Sequence, residues 1–430
     1  MTRNAEASLL AAAAVLAGLG VALVNFASGV GFDAQAALTL LVFVLSFGSV
    51  HLVMRRWAPT ANPYLFPLGA FLAAIGYIEV YRLDRDLAAL QLWSLLIAGG
   101  MASLLLFTLR DEGVAALRRY RYIFLVVAVG LLMLPLLPED WPIHGAEVFG
   151  SRLWVRADLP FGNRTLSFQP GEIAKLLLAI FLASYLADRH MAMATGRKLG
   201  PVHIPDPRHI FPVVIAAAAS FLVLIYQRDL GASLLLFALF IGMMYIATAR
   251  PFYLITGVVF VGVGGLIAYR LFDHVQRRVA AWLHPFDDFT DTGYQIAQSL
   301  FALGSGSLTG SGLGLGRPDL IPAAATDFVF AAVGEEMGLA GSIAVITAYA
   351  LLIAAGFGIA LRARDVFRKF LAAGLTLVIG MQAFLIIAGV TRLLPVTGIT
   401  LPFMSYGGSS LLANMILLTL LARISHGERA

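Results

Sequence analysis

The sequence has 430 residues, of which 60% are hydrophobic and only 13% are charged. Soluble proteins carry about 25% charged residues, so this composition and a mean hydropathy of +0.85 exclude an ordinary soluble protein and predict a polytopic membrane protein. The net charge of +5 indicates basic loops that face anionic lipid rather than nucleic-acid binding, and the absence of cysteine excludes disulfides, thiol catalysis and thiolate metal sites.

Twelve hydrophobic segments follow one another along the chain, each of about 16–23 residues, which is the length that crosses a bilayer as a helix. They are long and continuous, which favours helices over the short alternating strands of a membrane barrel. We expect the first segment to be a retained span and not a cleaved signal peptide. The predicted spans are residues 8–29, 35–54, 64–81, 88–108, 122–137, 171–187, 211–226, 231–248, 252–270, 339–361, 371–390 and 406–423.

Arginine gathers in alternate short loops when the N-terminus is placed inside. These loops contain Arg55 and Arg56, Arg110 to Arg121, Arg189 to Arg208, Arg250, and Arg362 to Lys369. Short basic loops mark the cytoplasmic side, so we expect both termini in the cytoplasm. Two long loops then face outwards, residues 137–170 between spans five and six and residues 271–338 between spans nine and ten. In the second, residues 326–336 are predicted to form an interfacial helix, because glycines interrupt the chain before the next span.

The second outer loop gathers carboxylates and flexible backbone, which membrane proteins often place where they bind or react. It carries Asp287, Asp288 and Asp291 within five residues, and a carboxylate in such a setting suits a general base. Spacing does not choose among the three, and solvated loop residues are the plainer interpretation. The glycines between residues 304 and 316 suit a phosphate cradle, but no Walker or Rossmann motif accompanies them, so a flexible loop is the plainer interpretation there too.

Shorter motifs place polar residues at the ends of spans. Glu172 lies in the first turn of the sixth span and Lys175 follows three residues later, so the two can pair on one helix face. A structural ion pair and a cation poised for a lipid phosphate both remain open. The other motifs suit binding, a polar turn, helix packing or an interface anchor equally well: Arg152 beside Trp154, Asp229 in Q-R-D-L-G, Arg392, and Ser405 in S-Y-G-G-S-S.

Seven segments of the chain form an ordered set: S-R-L-W at 151–154, F-Q-P-G-E-I-A-K at 168–175, Q-R-D-L-G at 227–231, G-Y-Q-I-A-Q-S-L at 293–300, G-S-G-L-G-L-G at 310–316, T-D-F-V-F-A-A-V-G-E-E-M-G-L-A-G at 326–341 and L-P-V-T-G-I-T-L-P-F-M-S-Y-G-G-S-S at 394–410. Together they resemble the SEDS family (shape, elongation, division and sporulation), whose members include FtsW, RodA and SpoVE. The segments N-P-Y-L-F-P and G-V-T-R-L-L-P-V-T-G are closer to its actinobacterial RodA-type branch. The usual family domain has ten spans, so we interpret residues 1–60 as two extra spans ahead of a SEDS-like domain at residues 61–425.

The resemblance implies a peptidoglycan glycosyltransferase that polymerises lipid II on the outer face of the bacterial plasma membrane, for elongation, shape or division. The implied partners are lipid II, a class B penicillin-binding protein and membrane lipids. The family's essential aspartate, which lies a few residues before G-Y-Q, aligns with Asp288. Its Glu and Lys fall on Glu172 and Lys175. The substrate-binding candidates are Arg152, Glu172, Lys175, Asp229, Asp327, Glu335, Glu336, Arg392 and Ser405.

On this interpretation Asp288 accepts the proton of the acceptor hydroxyl, while cationic side chains and a divalent ion such as Mg²⁺ or Mn²⁺ neutralise the departing pyrophosphate. No organic cofactor is expected. The alternative is a lipid II flippase or another membrane transporter, although a transporter would place its charges at mid-bilayer. A catalytically idle scaffold for a penicillin-binding protein is a third hypothesis. The clearest departures from the family are Ala323 and Ala325, where the family has Glu and His.

Overall fold

The computed structural model describes residues 3–31, 33–110, 113–138, 140–148, 151–158, 165–194, 197–199, 202–204, 207–287, 289 and 292–427. Within these residues the chain forms sixteen α-helices. They are α1 Arg3–Ala27, α2 Ala34–Trp57, α3 Leu65–Leu83, α4 Arg85–Thr108, α5 Gly113–Arg119, α6 Arg121–Met133, α7 Pro170–Ala194, α8 Pro207–Tyr226, α9 Leu230–Thr248, α10 Pro251–Leu271, α11 Asp273–Leu283, α12 Thr292–Ser305, α13 Val329–Glu336, α14 Gly338–Arg362, α15 Val366–Val390 and α16 Gly408–Gly427.

Each of the twelve predicted spans corresponds to one helix of the structure. Eleven of the described helices are long and apolar enough to cross a membrane, and α5 with α6 forms a pair, bent by 79°, that makes a twelfth if it is counted as one span. The short helix predicted before span ten is α13. The all-α polytopic membrane fold is therefore confirmed, whereas the side on which each terminus lies stays a prediction.

The segment between α6 and α7, which the sequence indicated only as a long loop, contains a small antiparallel sheet. Its strands are β1 Ile143–Val148, β2 Ser151–Asp158 and β3 Thr165–Phe168, in the order β1-β2-β3. Gly145 allows the sheet to lie against the turn after α6, since a Cβ there would be 1.8 Å from the Pro135 carbonyl oxygen. A second hairpin, β4 Arg197–Leu199 with β5 Val202–Ile204, joins α7 to α8. Both are additions to the helical fold.

The chain divides into two compact units, and each is described by itself. The first contains residues 1–110, 265–355 and 382–430, and the second contains residues 111–264 and 356–381. In the first unit, α1 packs on α2 and α3, and α4 packs on α2 and α16. In the second unit, α7 contacts α6, α8 and α9. Helix α3 is among the most deeply buried candidate spans of the first unit.

Polar contacts fix both ends of α1 inside the first unit. At the start of the helix, Arg3 pairs with the fully buried Glu6 and donates hydrogen bonds to the carbonyl oxygens of Ala58 (2.8 Å) and Ala61 (2.6 Å). Near its end, the buried Asn25 accepts a hydrogen bond from the Tyr81 hydroxyl at 2.9 Å. Because buried polar groups are costly unless they are paired, these contacts hold α1 in one register against its neighbours.

Helix α3 meets the connection between α15 and α16 at a glycine. A Cβ on Gly76 would lie 2.3 Å from the backbone of Met404. We expect Gly76→Ala to destabilise the protein by about 1–3 kcal/mol, because the added methyl group forces two backbones apart. Thermal unfolding in detergent measures the change. Gly100→Ala in α4 is the matched control: no atom lies within 4 Å of its Cβ position, so equal melting temperatures for the two variants would contradict the prediction.

Candidate active site

The predicted general base lies in a short connection. Asp288 itself, like Asp291, is outside the described residues. Its flanks are described: α11 ends at Leu283 and α12 begins at Thr292, and neither helix is among the candidate spans. The neighbouring Asp287 is largely exposed, with its carboxylate 3.7 Å from the imidazole of His284. The acidic cluster therefore lies between two non-spanning helices.

Arg392 fastens the end of α11 that leads into this connection. Its Nε donates to the Trp282 carbonyl (2.8 Å) and its Nη2 to the Leu283 carbonyl (2.7 Å), while the Trp282 indole N–H donates back to the Arg392 carbonyl (3.0 Å). A cation at a helix C-terminus also interacts favourably with the helix dipole. Arg392 thus has a clear anchoring role, and substrate binding by Arg392 stays a prediction.

A narrow cleft in the first unit has one carboxylate in an otherwise largely apolar wall. Its open space is small, about 180 Å³ with the solvent at its mouth included, so by itself it would hold only part of a large substrate. Arg278 lies near its rim and donates to the carbonyl oxygens of Val396 (3.3 Å) and Thr397 (3.2 Å). The lining residues are Asp327, Ile386, Gly389, Val390, Val396, Thr397, Gly398 and Ile399.

The two alanines that depart from the family pattern form hydrogen bonds through their main-chain carbonyl groups. Ala323 has a φ of 59°, and its carbonyl accepts N–H bonds from Thr326 and Asp327, both at 3.1 Å. The Ala325 carbonyl accepts the N–H of Tyr406 at 2.8 Å. This segment therefore holds its turn and its neighbouring loop through main-chain groups, which need neither a Glu nor a His side chain.

Ser405 connects the same two segments. Its hydroxyl donates to the Thr326 carbonyl and accepts the N–H of Leu401 at 2.8 Å. The side chain is buried. Ser405 is therefore placed to stabilise the loop before α16, and its predicted contact with substrate stays a prediction.

Glu335 and Glu336 close α13 and bind the glycine-rich loop, which we define as residues 306–317. Glu335 Oε1 accepts the N–H of Arg317 and Glu336 Oε2 accepts the N–H of Gly314, both at 2.7 Å. Their carbonyl oxygens accept the N–H groups of Ser311 (2.9 Å) and Gly312 (3.0 Å). These four donors are directed at the protein's own oxygens, which argues against a phosphate cradle at this loop. Substrate binding by either glutamate stays a prediction.

Two charged residues of α3 complete this cluster, and the sequence reasoning missed them. Arg82 Nε lies 3.2 Å from Glu336 Oε1, and Arg82 Nη2 donates to the Gly316 carbonyl at 2.9 Å. One turn earlier, Glu79 is fully buried, and among the described residues neither of its oxygens has a hydrogen-bond partner. Burial raises the pKa of the Glu336 carboxyl, against the opposing effects of the Gly314 N–H and Arg82. The sequence contained a signal for both residues, because a charged side chain inside an apolar span usually pairs with another group or takes part in function.

The second unit contains the predicted ion pair at the start of α7. Lys175 Nζ donates to Glu172 Oε2 at 2.5 Å, and the two side chains are only 5% and 8% exposed. Pro170 begins the helix, which puts Glu172 in its first turn, where the dipole favours an anion. The predicted pairing is confirmed. Whether Lys175 also meets a lipid phosphate stays a prediction.

Breaking this pair should be costly, because it leaves one charge buried without its partner. We expect Lys175→Met to destabilise the protein by about 3–5 kcal/mol. The double variant Lys175→Met, Glu172→Gln should recover much of that loss, since it leaves no uncompensated charge. Thermal unfolding of both variants in detergent tests this expectation. A double variant no more stable than the single one would show that the pair is not the source of the effect.

The remaining candidates of the second unit occupy a helix cap and a strand. Asp229 caps α9, with Oδ1 accepting the N–H of Ala232 at 2.8 Å. Arg152 lies on β2 with its side chain 42% exposed, and its Nε is 3.4 Å from Glu147 Oε2. Arg152 is thus more accessible to a ligand than Lys175, and both substrate-binding assignments stay predictions.

A divalent cation has no ready ligand set among the described residues. No three of their His, Asp or Glu side chains converge as metal ligands do. The carboxylates of Glu172, Glu335 and Glu336 already accept donors from the protein. The expected Mg²⁺ or Mn²⁺ ion stays a prediction, and no chemical step below is derived through it.

The chain is similar over most of its length to proteins of one family. The family model for the cell cycle proteins FtsW, RodA and SpoVE matches residues 65–430. The peptidoglycan glycosyltransferase RodA of Mycobacterium tuberculosis is 43% identical, over 99% of this chain and 91% of that protein. The RodA of Mycobacterium leprae is 40% identical over the same shares. A probable peptidoglycan glycosyltransferase FtsW of Geobacter sulfurreducens is 37% identical, over 72% of this chain and 78% of its own.

Two solved structures share the fold. A chain of a peptidoglycan synthase complex, studied for its coordination of polymerization and crosslinking, superposes with a TM-score of 0.66 at 24% identity, covering 86% of this chain and 98% of that chain. The rod shape determining protein RodA of Thermus thermophilus gives a TM-score of 0.56 at 25% identity, with the same coverage of both chains. Both likenesses concern the arrangement of the helices.

Proposed function

The chain belongs to the FtsW/RodA/SpoVE family and is a peptidoglycan glycosyltransferase, and we propose that it polymerises lipid II with Asp288 as the general base. The observation that carries this proposal is the setting of the acidic connection. Residues 284–291 join two helices that are not candidate spans, and Arg392 fastens the end of the first. A base placed there has access to a sugar headgroup at the membrane surface while the lipid tail stays in the bilayer.

Asp288 removes the proton of the acceptor sugar's 4-hydroxyl as the oxygen attacks the anomeric carbon of the donor. The bond from that carbon to the pyrophosphate oxygen breaks, and the lipid pyrophosphate departs with the electron pair. Attack from the opposite face inverts the anomeric centre. The leaving group is already an anion of low basicity, so the reaction needs no general acid.

The departing charge requires cations near the leaving group. Of the two candidates in the second unit, Arg152 is the more accessible, because its guanidinium is partly exposed. Lys175 is buried against Glu172, so its pair is close to neutral as a whole. We assign Arg152 to the headgroup and Lys175 to the shape of the α7 start.

The active site faces outwards in this proposal, and a class B penicillin-binding protein crosslinks the strands it makes. The arginine-rich short loops support this orientation, through the rule that such loops stay in the cytoplasm. The synthase complex that shares the fold supports the partner, since that complex joins polymerization to crosslinking.

Reconstitution with lipid II separates this function from its alternative. The purified protein, alone and with its penicillin-binding partner, is placed in vesicles whose lipid II is labelled on the sugar. Glycan strands resolved by gel electrophoresis support polymerisation. Label that crosses the bilayer without any strand, under both conditions, would instead support a lipid II flippase.

A further inference from the structure

Helix α1 lies outside residues 65–430, the part of the chain that the family model matches, yet it contacts the glycine-rich loop. We infer that α1 is a positioning element of this enzyme: its last turn, Val24–Ala27, holds the glycine-rich loop against α13, and polymerisation depends on that placement. The second half of this inference rests on the proposed function, and the first half stands without it.

The contact is made at Gly314. A Cβ on this residue would lie 3.0 Å from the Cβ of Ala27 and 3.5 Å from the Cα of Val24, so the loop backbone rests directly on the helix. Gly314 also has a φ of +78°, a conformation that favours glycine. A side chain at this position would therefore meet α1 and strain the loop at once.

The opposite side of the loop is held by charge. The Gly314 N–H donates to Glu336, whose other oxygen is paired with Arg82. Arg82 also donates to the carbonyl of Gly316. The loop is thus enclosed between the last turn of α1 and a buried ion pair, with its main-chain donors and acceptors both engaged.

The contacts return to α1 through α3. Tyr81 precedes Arg82, and its hydroxyl donates to the fully buried Asn25 of α1, which Arg85 also approaches at 3.4 Å. The chain of contacts therefore forms a closed ring, from α1 to the loop, to α13, to α3 and back to α1. A displacement of α1 cannot leave the loop unchanged, because every link of the ring is a packed or hydrogen-bonded contact.

The same network of contacts extends, through α12, to the helix end next to the proposed catalytic connection. The loop continues from α12, which packs on α13 and begins directly after residue 291. Ser299 of α12 donates to the Val390 carbonyl, two residues before Arg392, which bonds the end of α11. Loosening the loop removes one of the supports that fix α12, the helix that begins directly after the acidic connection.

Hydrogen–deuterium exchange tests the first half without any substrate. The reporter is a peptide that covers residues 310–317, whose N–H groups at Ser311, Gly312, Gly314 and Arg317 are hydrogen-bonded. Ala27→Leu pushes on Gly314, and Ala12→Leu, the same change at an exposed position of the same helix, is its matched control. We expect exchange of the peptide to be about tenfold faster in Ala27→Leu and unchanged in Ala12→Leu. Equal exchange in the two variants overturns the inference.

A double variant distinguishes a specific contact between α1 and the loop from a general loss of stability. Gly314→Ala should speed exchange, and adding Ala27→Gly should restore part of the protection, because it removes the atom that the new methyl group meets. Adding Ala12→Gly, the same change on the exposed face of α1, should restore none. The same rescue should appear in kcat for lipid II, which a helix that only anchors the chain would not affect.

Absence of rescue in exchange overturns the positioning role, and rescue in exchange with kcat unaffected throughout overturns its link to polymerisation. If wild type makes no glycan at all, the proposed function fails while the exchange result still decides the role of α1.

Discussion

Asp288→Asn should lower the rate of glycan synthesis from lipid II by about 10²–10⁴-fold, the usual contribution of a general base. The amide keeps the size of the side chain but cannot accept the proton of the attacking hydroxyl. The measurement is the initial rate of polymerisation by purified protein in detergent or vesicles. The melting temperature should stay close to that of wild type, because the amide has nearly the same size and shape as the carboxylate and the change lies in the connection between α11 and α12.

Two neighbouring carboxylates serve as controls. Asp287→Asn should retain most of the activity, since that side chain is 78% exposed and lies near His284. Asp291→Asn tests the third aspartate of the cluster. Activity that survives in Asp288→Asn but disappears in Asp291→Asn would assign the base to the other carboxylate and would show the alignment with the family to be wrong at this point.

Arg82→Met should cause a large loss of stability in the first unit. Arg82 is the partner of the fully buried Glu336 and lies one turn from the fully buried Glu79. Removing one partner of a buried pair typically costs about 3–5 kcal/mol, a large part of the roughly 5–15 kcal/mol that stabilises a typical protein. We expect a lower melting temperature in detergent and faster proteolysis of the glycine-rich loop.

The charge argument predicts how this loss is relieved. Arg82→Met combined with Glu336→Gln should be more stable than Arg82→Met alone, because the buried residue 336 then carries no charge that lacks a partner. Arg55→Met is the matched control, since Arg55 is exposed at the end of α2 and makes only a long 3.3 Å bond to Asn4. Similar melting temperatures for Arg55→Met and Arg82→Met would refute the role assigned to Arg82.

The spans were predictable because a bilayer leaves one strong signal, a continuous apolar run of helical length. The fifth span gave a less regular helix than the others, because the chain bends by 79° between α5 and α6, directly before it. The sheet at residues 143–168 was not predicted, because its strands are short and pair through contacts that periodicity alone does not reveal. Gly145 allows the sheet to pack closely against the turn after α6. In the sequence nothing distinguishes this glycine from the many others.

Site residues were predictable where the interaction is local. Glu172 and Lys175 are three residues apart on one helix, so their pairing follows from helical geometry. Arg82 and Glu336 are far apart in sequence, and only the packing of α3 against α13 brings them together. The glycines of residues 306–317 suggested an anion site, whereas their N–H groups bind Glu335 and Glu336. The sequence pattern indicated the N–H donors of the loop. It did not indicate that their acceptors are glutamates of the same protein.

The reciprocal bonds between Arg392 and the end of α11 have a consequence for biosynthesis. Arg392 leaves the ribosome more than a hundred residues after Trp282 and Leu283, together with the connection whose Tyr406 binds Ala325. A nascent chain that has inserted every earlier span still lacks the Arg392 contacts that hold the end of α11, next to the proposed catalytic connection. Translation must therefore reach the final helix before the site is ordered, so incomplete chains released in the membrane should be inert toward cell-wall precursor.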